Sequence, residues 1–114
     1  MTGPSIFISA VTTEFKTTRQ RIAHMLTRLG YQPVWEDVFG TEAGDLRQVL
    51  RSKIDTCDGL IHIAGDAYGS EPPEVESDFG RVSYTQFEFL YADQIGKRTW
   101  LIFPGAQCTR DKPL

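Results

Sequence analysis

The sequence is poor in several features, and each shortage narrows what the chain can be. Two cysteines in 114 residues, Cys57 and Cys108, form neither a C-x-x-C pair nor a disulfide framework, which predicts reduced thiols in a cytoplasmic protein. No apolar run approaches the ~20 residues of a membrane-spanning helix. The opening MTGPSIFISA has no basic segment ahead of a long apolar core, so neither a membrane span nor a secretory signal is expected. Positive charge is not in excess: 12 Lys and Arg against 15 Asp and Glu leave a net charge of −3. Duplex DNA calls for a basic face, so direct nucleic-acid binding is not expected. His24 and His62 have no third ligand at usable spacing, which argues against a metal. Walker, G-x-G-x-x-G and G-x-S-x-G motifs are all missing.

What is present is the balance of a folded domain. Hydrophobic residues make up 40% and charged residues 24%, in a length that holds one domain. Short β-rich runs alternate with amphipathic stretches, the pattern of βαβ units and a parallel sheet. Ser5-Ile6-Phe7-Ile8-Ser9, Leu60-Ile61-His62-Ile63-Ala64 and Thr99-Trp100-Leu101-Ile102-Phe103 are near-continuous apolar runs, expected to be buried on both faces. Residues 31–36 alternate and carry Pro33, which cannot donate to a ladder on both sides, so this strand belongs at an edge. Strands at 5–9, 31–36, 59–65 and 98–103 predict a flavodoxin-like α/β three-layer sandwich of order 2-1-3-4.

The helices between them follow apolar periodicity. Over 14–29, Phe15, Ile22, Met25, Leu26 and Leu29 form the stripe, with Arg19, Arg21, His24 and Arg28 expected to point away from it. A helix over 45–56 uses Leu46, Val49, Leu50 and Ile54, with Cys57 ending the stripe as a core residue. A third covers 83–95. The polar tail from Pro104 to Leu114 offers no fifth strand. A fold of this class closes with a further helix and strand, so the chain is expected to be the N-terminal part of a longer protein with other domains.

Ligands of open parallel sheets bind beyond the carboxyl ends of the strands, where strand order reverses, here between the first and third strands. Ser9-Ala10-Val11-Thr12-Thr13 runs from one of them into a helix, whose N–H groups and dipole suit a phosphate, unless Thr12 or Thr13 only caps it. Gly65 and Gly69 bracket a turn that either admits a ligand beside Tyr68 or serves loop geometry alone. Residues 70–81 hold Pro72-Pro73 and the acids Glu71, Glu74, Glu76 and Asp78, and read as a solvated loop leaning toward disorder. Trp35, with Phe39-Gly40 at the exit of the second strand, is placed to stack a base or to pack the sheet edge.

Glu88 is the sharpest signal. At about 100° per residue, Tyr84, Phe87, Tyr91 and Ile95 share one stripe of the third helix and Glu88 falls within it, while Gln86 and Asp93 lie opposite. A carboxylate there must be paired, neutralised or facing a cavity, and burial raises its pKa. The competing reading is a cap, because Thr85-x-x-Glu88 spells a capping box. Ser83-x-x-Gln86 spells another, and a cap at Ser83 frees Glu88 for other work.

Taken together, S-I-F-I-S-A at the first strand, G-D-A-Y-G after the third and S-Y-T-Q-F-E opening the helix resemble a TIR-like family of the Toll/interleukin-receptor superfamily, found at the N-termini of larger bacterial multidomain proteins. The resemblance runs to Phe103. Enzymatic members carry their catalytic glutamate in a serine–aromatic–cysteine–x–x–glutamate motif. Ser83, Tyr84, Thr85 and Glu88 match it, with tyrosine for the usual tryptophan and threonine for the cysteine. The resemblance implies Glu88 as the catalytic residue and Ser9, Ala10 and Val11 lining the nicotinamide-ribose site. It also implies that Trp35 to Gly40 is the loop through which copies assemble.

The function so implied is NAD glycohydrolysis, with NAD as substrate and no further cofactor, in an effector of prokaryotic defence switched on by assembly. Gly65, Tyr68, Gly69, Ser83 and Tyr84 join Trp35 and Phe39 as expected substrate contacts. One alternative is a non-enzymatic TIR-like signalling module. Another is a nucleoside deoxyribosyltransferase-like enzyme, which shares the fold class and also uses a carboxylate.

Overall fold

A computed structural model describes residues 3–37 and 46–111 of the chain. The elements run β1 (Ser5–Ser9), α1 (Thr12–Arg28), β2 (Gln32–Val34), α2 (Leu46–Asp55), β3 (Gly59–Ile63), α3 (Tyr84–Gln94) and β4 (Arg98–Ile102). The four strands form one parallel sheet of order β2-β1-β3-β4, the flavodoxin-like arrangement. Pro33 lies in β2 at the edge, where its missing N–H leaves no ladder position unpaired on the outer side.

Side chains alternate across a strand, so the apolar runs supply both faces of the sheet. Phe7 of β1 and its neighbour Leu60 of β3 face α2 and α3, and join Leu50, Ile54, Cys57 and Phe87 in one core. Ile8 and Ile63 point the other way and pack with Phe15 and Ala23 of α1. By the same alternation Ser9 and His62, two residues beyond Phe7 and Leu60, look toward α3. They are also register partners.

Burial departs from expectation at β4. Trp100, Leu101 and Ile102 are exposed, and Phe103 is 73% exposed. This strand ends the sheet, no fifth strand flanks it among the described residues, and α1 lies toward the β2 side. In α1 the inward row is Thr12, Phe15, Arg19 and Ala23, all buried, while Met25 and Leu29 are exposed. Arg19 thus sits inside the stripe rather than opposite it, because the four-residue step from Phe15 leads to it and on to Ala23. Val49 of α2 is exposed beside the inward row Leu46, Leu50 and Ile54, and Ile95 is exposed as the C-cap of α3. Neither Thr12 nor Thr13 caps α1: Val11 is the N-cap and makes no side-chain cap bond.

The acidic stretch is largely solvated, with Glu74 and Asp78 exposed, but it is anchored at two of its acids. Glu76 is 3% exposed and accepts from Arg47 at 3.3 Å and Arg51 at 3.2 Å, both on α2. Its segment closes on itself through a bridge between Glu76 and Gly80. Glu71 accepts from Tyr68 Oη at 2.7 Å and from Arg81 Nε at 2.9 Å. Carboxylates with guanidinium partners anchor the segment where unpaired ones would solvate it. Among the described residues no helix is long and apolar enough to cross a membrane.

Candidate functional site

At the carboxyl ends of β1 and β3 a cavity of about 320 Å³ opens beside the start of α3. That volume is at the lower end of small-molecule sites, which span about 300–1,000 Å³. Its walls are Val11 from the β1 exit, residues 62–68 from β3 and its exit, and Thr85 and Gln86 from α3. Asp66 is the one carboxylate in these walls, and no lysine or arginine lines them. The lining therefore favours a cationic or neutral group over a phosphate.

The wall after β3 is fixed by Glu14 of α1. Its carboxylate is 1% exposed and accepts from the backbone amides of Asp66 at 3.1 Å and Ala67 at 2.9 Å. Arg110 from the tail donates to it at 3.3 Å. Glycine is required at 65, since a Cβ there would collide with the Phe15 ring and the Glu14 carboxylate. At Gly69 the chain takes a φ of +90°, which glycine alone adopts freely, and the backbone passes close to Val11 and Thr85. Both glycines thus serve the shape of the wall.

The start of α3 is capped by Ser83. Its Oγ accepts from the Gln86 amide at 3.2 Å, and Gln86 Oε1 accepts from the Ser83 amide at 3.2 Å. The Thr85–Glu88 box is not formed, and Glu88 is released from capping. Its carboxylate turns to the sheet and is 3% exposed. Ser9 Oγ donates to Glu88 Oε1 at 2.7 Å, approaches His62 Nδ1 at 3.0 Å and lies 3.4 Å from the Thr85 carbonyl. Glu88 Oε2 has no partner among the described residues. His62 belongs to the cavity wall.

Burial pushes the Glu88 carboxyl from 4.5 up to about 8, against the opposing pull of the Ser9 hydrogen bond and the Arg19 charge; Glu36 adds a smaller upward push. Burial also holds the His62 imidazole below its usual 6.5. Near neutral pH both groups are therefore uncharged. Arg19 is fixed by Asp37, by Thr12 Oγ at 3.1 Å and by the Ala10 carbonyl at 3.5 Å. The Trp35 ring lies 5.8 Å from its guanidinium.

The expected site residues divide three ways. Val11, Gly65 and Tyr68 line the cavity, and Gly69 shapes it. Ser9 and Glu88 lie together just behind the His62–Thr85 wall. Ala10 and Trp35 belong to the packing on the α1 side, Ser83 is spent as a cap, and Tyr84 is 2% exposed in the α2–α3 core. Those four do not reach the cavity. Phe39 lies outside the described residues.

A family model described as Domain of unknown function (DUF4062) matches residues 5–112. The chain belongs to the DUF4062 family. No curated protein and no solved structure matches it. Three side chains of this DUF4062 domain that build the site escape a reading of the sequence. His62 looks like one more residue of a buried strand until register places it beside Ser9. Glu14 and Arg19 look like solvated charges of α1 until the inward row is fixed by Phe15. The one available signal for Arg19 is its four-residue step from Phe15.

Proposed function

We propose that this domain is a TIR-like NAD glycohydrolase in which Glu88 stabilises the ribosyl cation formed when nicotinamide leaves. The observation that carries the reading is a helix carboxylate that does not cap its own helix. It lies buried against Ser9 at the carboxyl end of β1. In the proposed reaction the C1′–N bond breaks and its electron pair goes to the nicotinamide ring, which departs neutral. Positive charge gathers on C1′ and O4′ of the ribose, and an ionised Glu88 lowers the energy of that state. Water then adds to C1′, and Glu88 accepts the proton it loses. A cavity with Asp66 in its wall and no basic residue suits the cationic nicotinamide end of the dinucleotide. The pyrophosphate and adenosine would lie outside it.

A second reading, a TIR-like assembly or signalling module without catalysis, is favoured by one observation. Neither Ser9 nor Glu88 is among the residues that line the cavity. In both readings the loop after β2 brings copies together, and the wider role is that of an effector in prokaryotic defence, joined to other domains. The test is nicotinamide release from NAD by the chain held at high local concentration on a scaffold. Release that Glu88→Gln abolishes supports the enzyme. An absence of release from the assembled wild type favours the module.

A further inference from the structure

Glu88 is separated from the cavity by the side chains through which it could exchange a proton. Ser9 and His62 sit side by side on adjacent parallel strands, and α3 holds Glu88 over them. Ser9 Oγ stands 2.7 Å from Glu88 Oε1 and 3.0 Å from His62 Nδ1, both ordinary hydrogen-bond lengths. A hydroxyl has one proton to give and lone pairs to receive, so it can accept from one neighbour while donating to the other. His62 itself lines the cavity, so a proton that reaches its ring can leave toward that space.

We propose that Ser9 and His62 form a proton path joining the Glu88 carboxyl to the cavity. The step balances without any co-reactant. With the Ser9 hydroxyl turned from Glu88 Oε1 to donate to His62 Nδ1, the Glu88 O–H bond breaks as its proton passes to Ser9 Oγ, and Ser9 gives its own proton to His62 Nδ1. The imidazolium so formed releases its Nε2 proton to water in the cavity. The net result is an ionised Glu88, an unchanged Ser9, and a neutral His62 in the opposite tautomer. Its use in catalysis rests on the glycohydrolase reading, because a carboxyl that stays protonated cannot stabilise a ribosyl cation.

The surroundings leave this as the evident proton route among the described residues. From α1 the charge nearest in effect is Arg19, which Asp37 holds. Glu36, after β2, is held by Lys53 of α2. On the far side of His62 the Phe89 ring lies 5.4 Å away, and its register partner on β4 is Leu101, so neither offers another acceptor. Burial favours the uncharged form of both ends of the path, which fits a proton that is held at rest and moved on demand.

The test is an NMR titration of the two histidines in the 114-residue chain, with His24 on the exposed side of α1 as internal reference. In the wild type, neutral His62 is expected to carry its proton on Nε2, and its resonances to show a second inflection as Glu88 ionises. That inflection is absent in Glu88→Gln and shrinks at least severalfold in Ser9→Ala. A neutral His62 protonated on Nδ1 while Glu88 still holds its proton, or a titration with no second inflection, overturns the path, and both are read on the unaltered protein. An undiminished inflection in Ser9→Ala also overturns it, because coupling then acts through space. None of these readouts needs substrate. Should nicotinamide release occur with a pH profile that Ser9→Ala leaves unmoved, the path falls and the glycohydrolase stands. Should the histidine couple as described with no release from the assembled chain, the reaction falls and the path stands.

Discussion

The Glu14 carboxylate occupies the space into which a side chain at Gly65 would project. One acid on α1 thereby dictates the residue two positions beyond β3, and together they set the wall of the cavity. Gly65→Ala forces a methyl against an ion-paired carboxylate and the Phe15 ring, so it should destabilise by about 1–3 kcal/mol. Glu14→Gln keeps the shape but weakens the bonds to two amides and Arg110. It should lose less stability while speeding hydrogen exchange at Asp66 and Ala67. Urea unfolding and amide exchange measure the two effects, and a Gly65→Ala protein as stable as wild type would refute the close approach.

Glu88 makes the fold less stable as pH rises. The native carboxyl keeps its proton to about 8, whereas an unfolded one loses it near 4.5. Across that window the native state binds more protons, so stability falls with increasing pH. Each pKa unit is worth about 1.4 kcal/mol, for a total on the order of 4–5 kcal/mol once pH passes the native value. His62 acts with the opposite slope below its usual 6.5, because an unfolded imidazole takes up a proton that the buried one resists. Glu88→Gln should therefore unfold at a higher temperature than wild type near pH 9 and at a similar one near pH 4.5. Thermal melts across that range decide it, and parallel curves for the two proteins would contradict the buried acid.

Much of the architecture is legible because it depends on local periodicity. Apolar runs marked three strands, and alternation with Pro33 marked β2 and placed it at the edge. Glu88 stood out because a helix stripe can be drawn without knowing what it faces. The Ser83 box competed with the Thr85 box on equal terms in sequence, and only the position of the first turn selects between them. Ser9 with His62 could not be paired from sequence, since parallel register is a long-range property. Burial of β4 was misjudged for a related reason: an apolar run reports what a strand can bury, while coverage depends on its neighbours in the sheet.

The segment 70–81 is expected to behave as an anchored strap. Glu76→Ala removes the carboxylate shared by Arg47 and Arg51 and should destabilise the domain by about 1–3 kcal/mol. Limited proteolysis should then cut within 70–81 well before the wild type is cut there. Equal cutting rates would mean that these ion pairs do not hold the segment.

The two thiols should differ sharply in reactivity. Burial raises Cys57 to about 11, so almost no thiolate forms at neutral pH, whereas Cys108 is partly exposed. Iodoacetamide should alkylate Cys108 alone in the native protein and both residues in denaturant, as mass spectrometry of the digested chain would reveal. Labelling of Cys57 at a comparable rate would indicate that the α2–β3 corner opens.

The bare outer margin of β4 has a practical consequence for anyone handling the domain. Its main-chain donors and acceptors lack a ladder on that side among the described residues, and Trp100, Leu101, Ile102 and Phe103 flank them with oily surface. A rim of that kind is a template for any extended peptide, including another copy of itself. Concentrated preparations are expected to self-associate along this rim, and Leu101→Lys should lessen it.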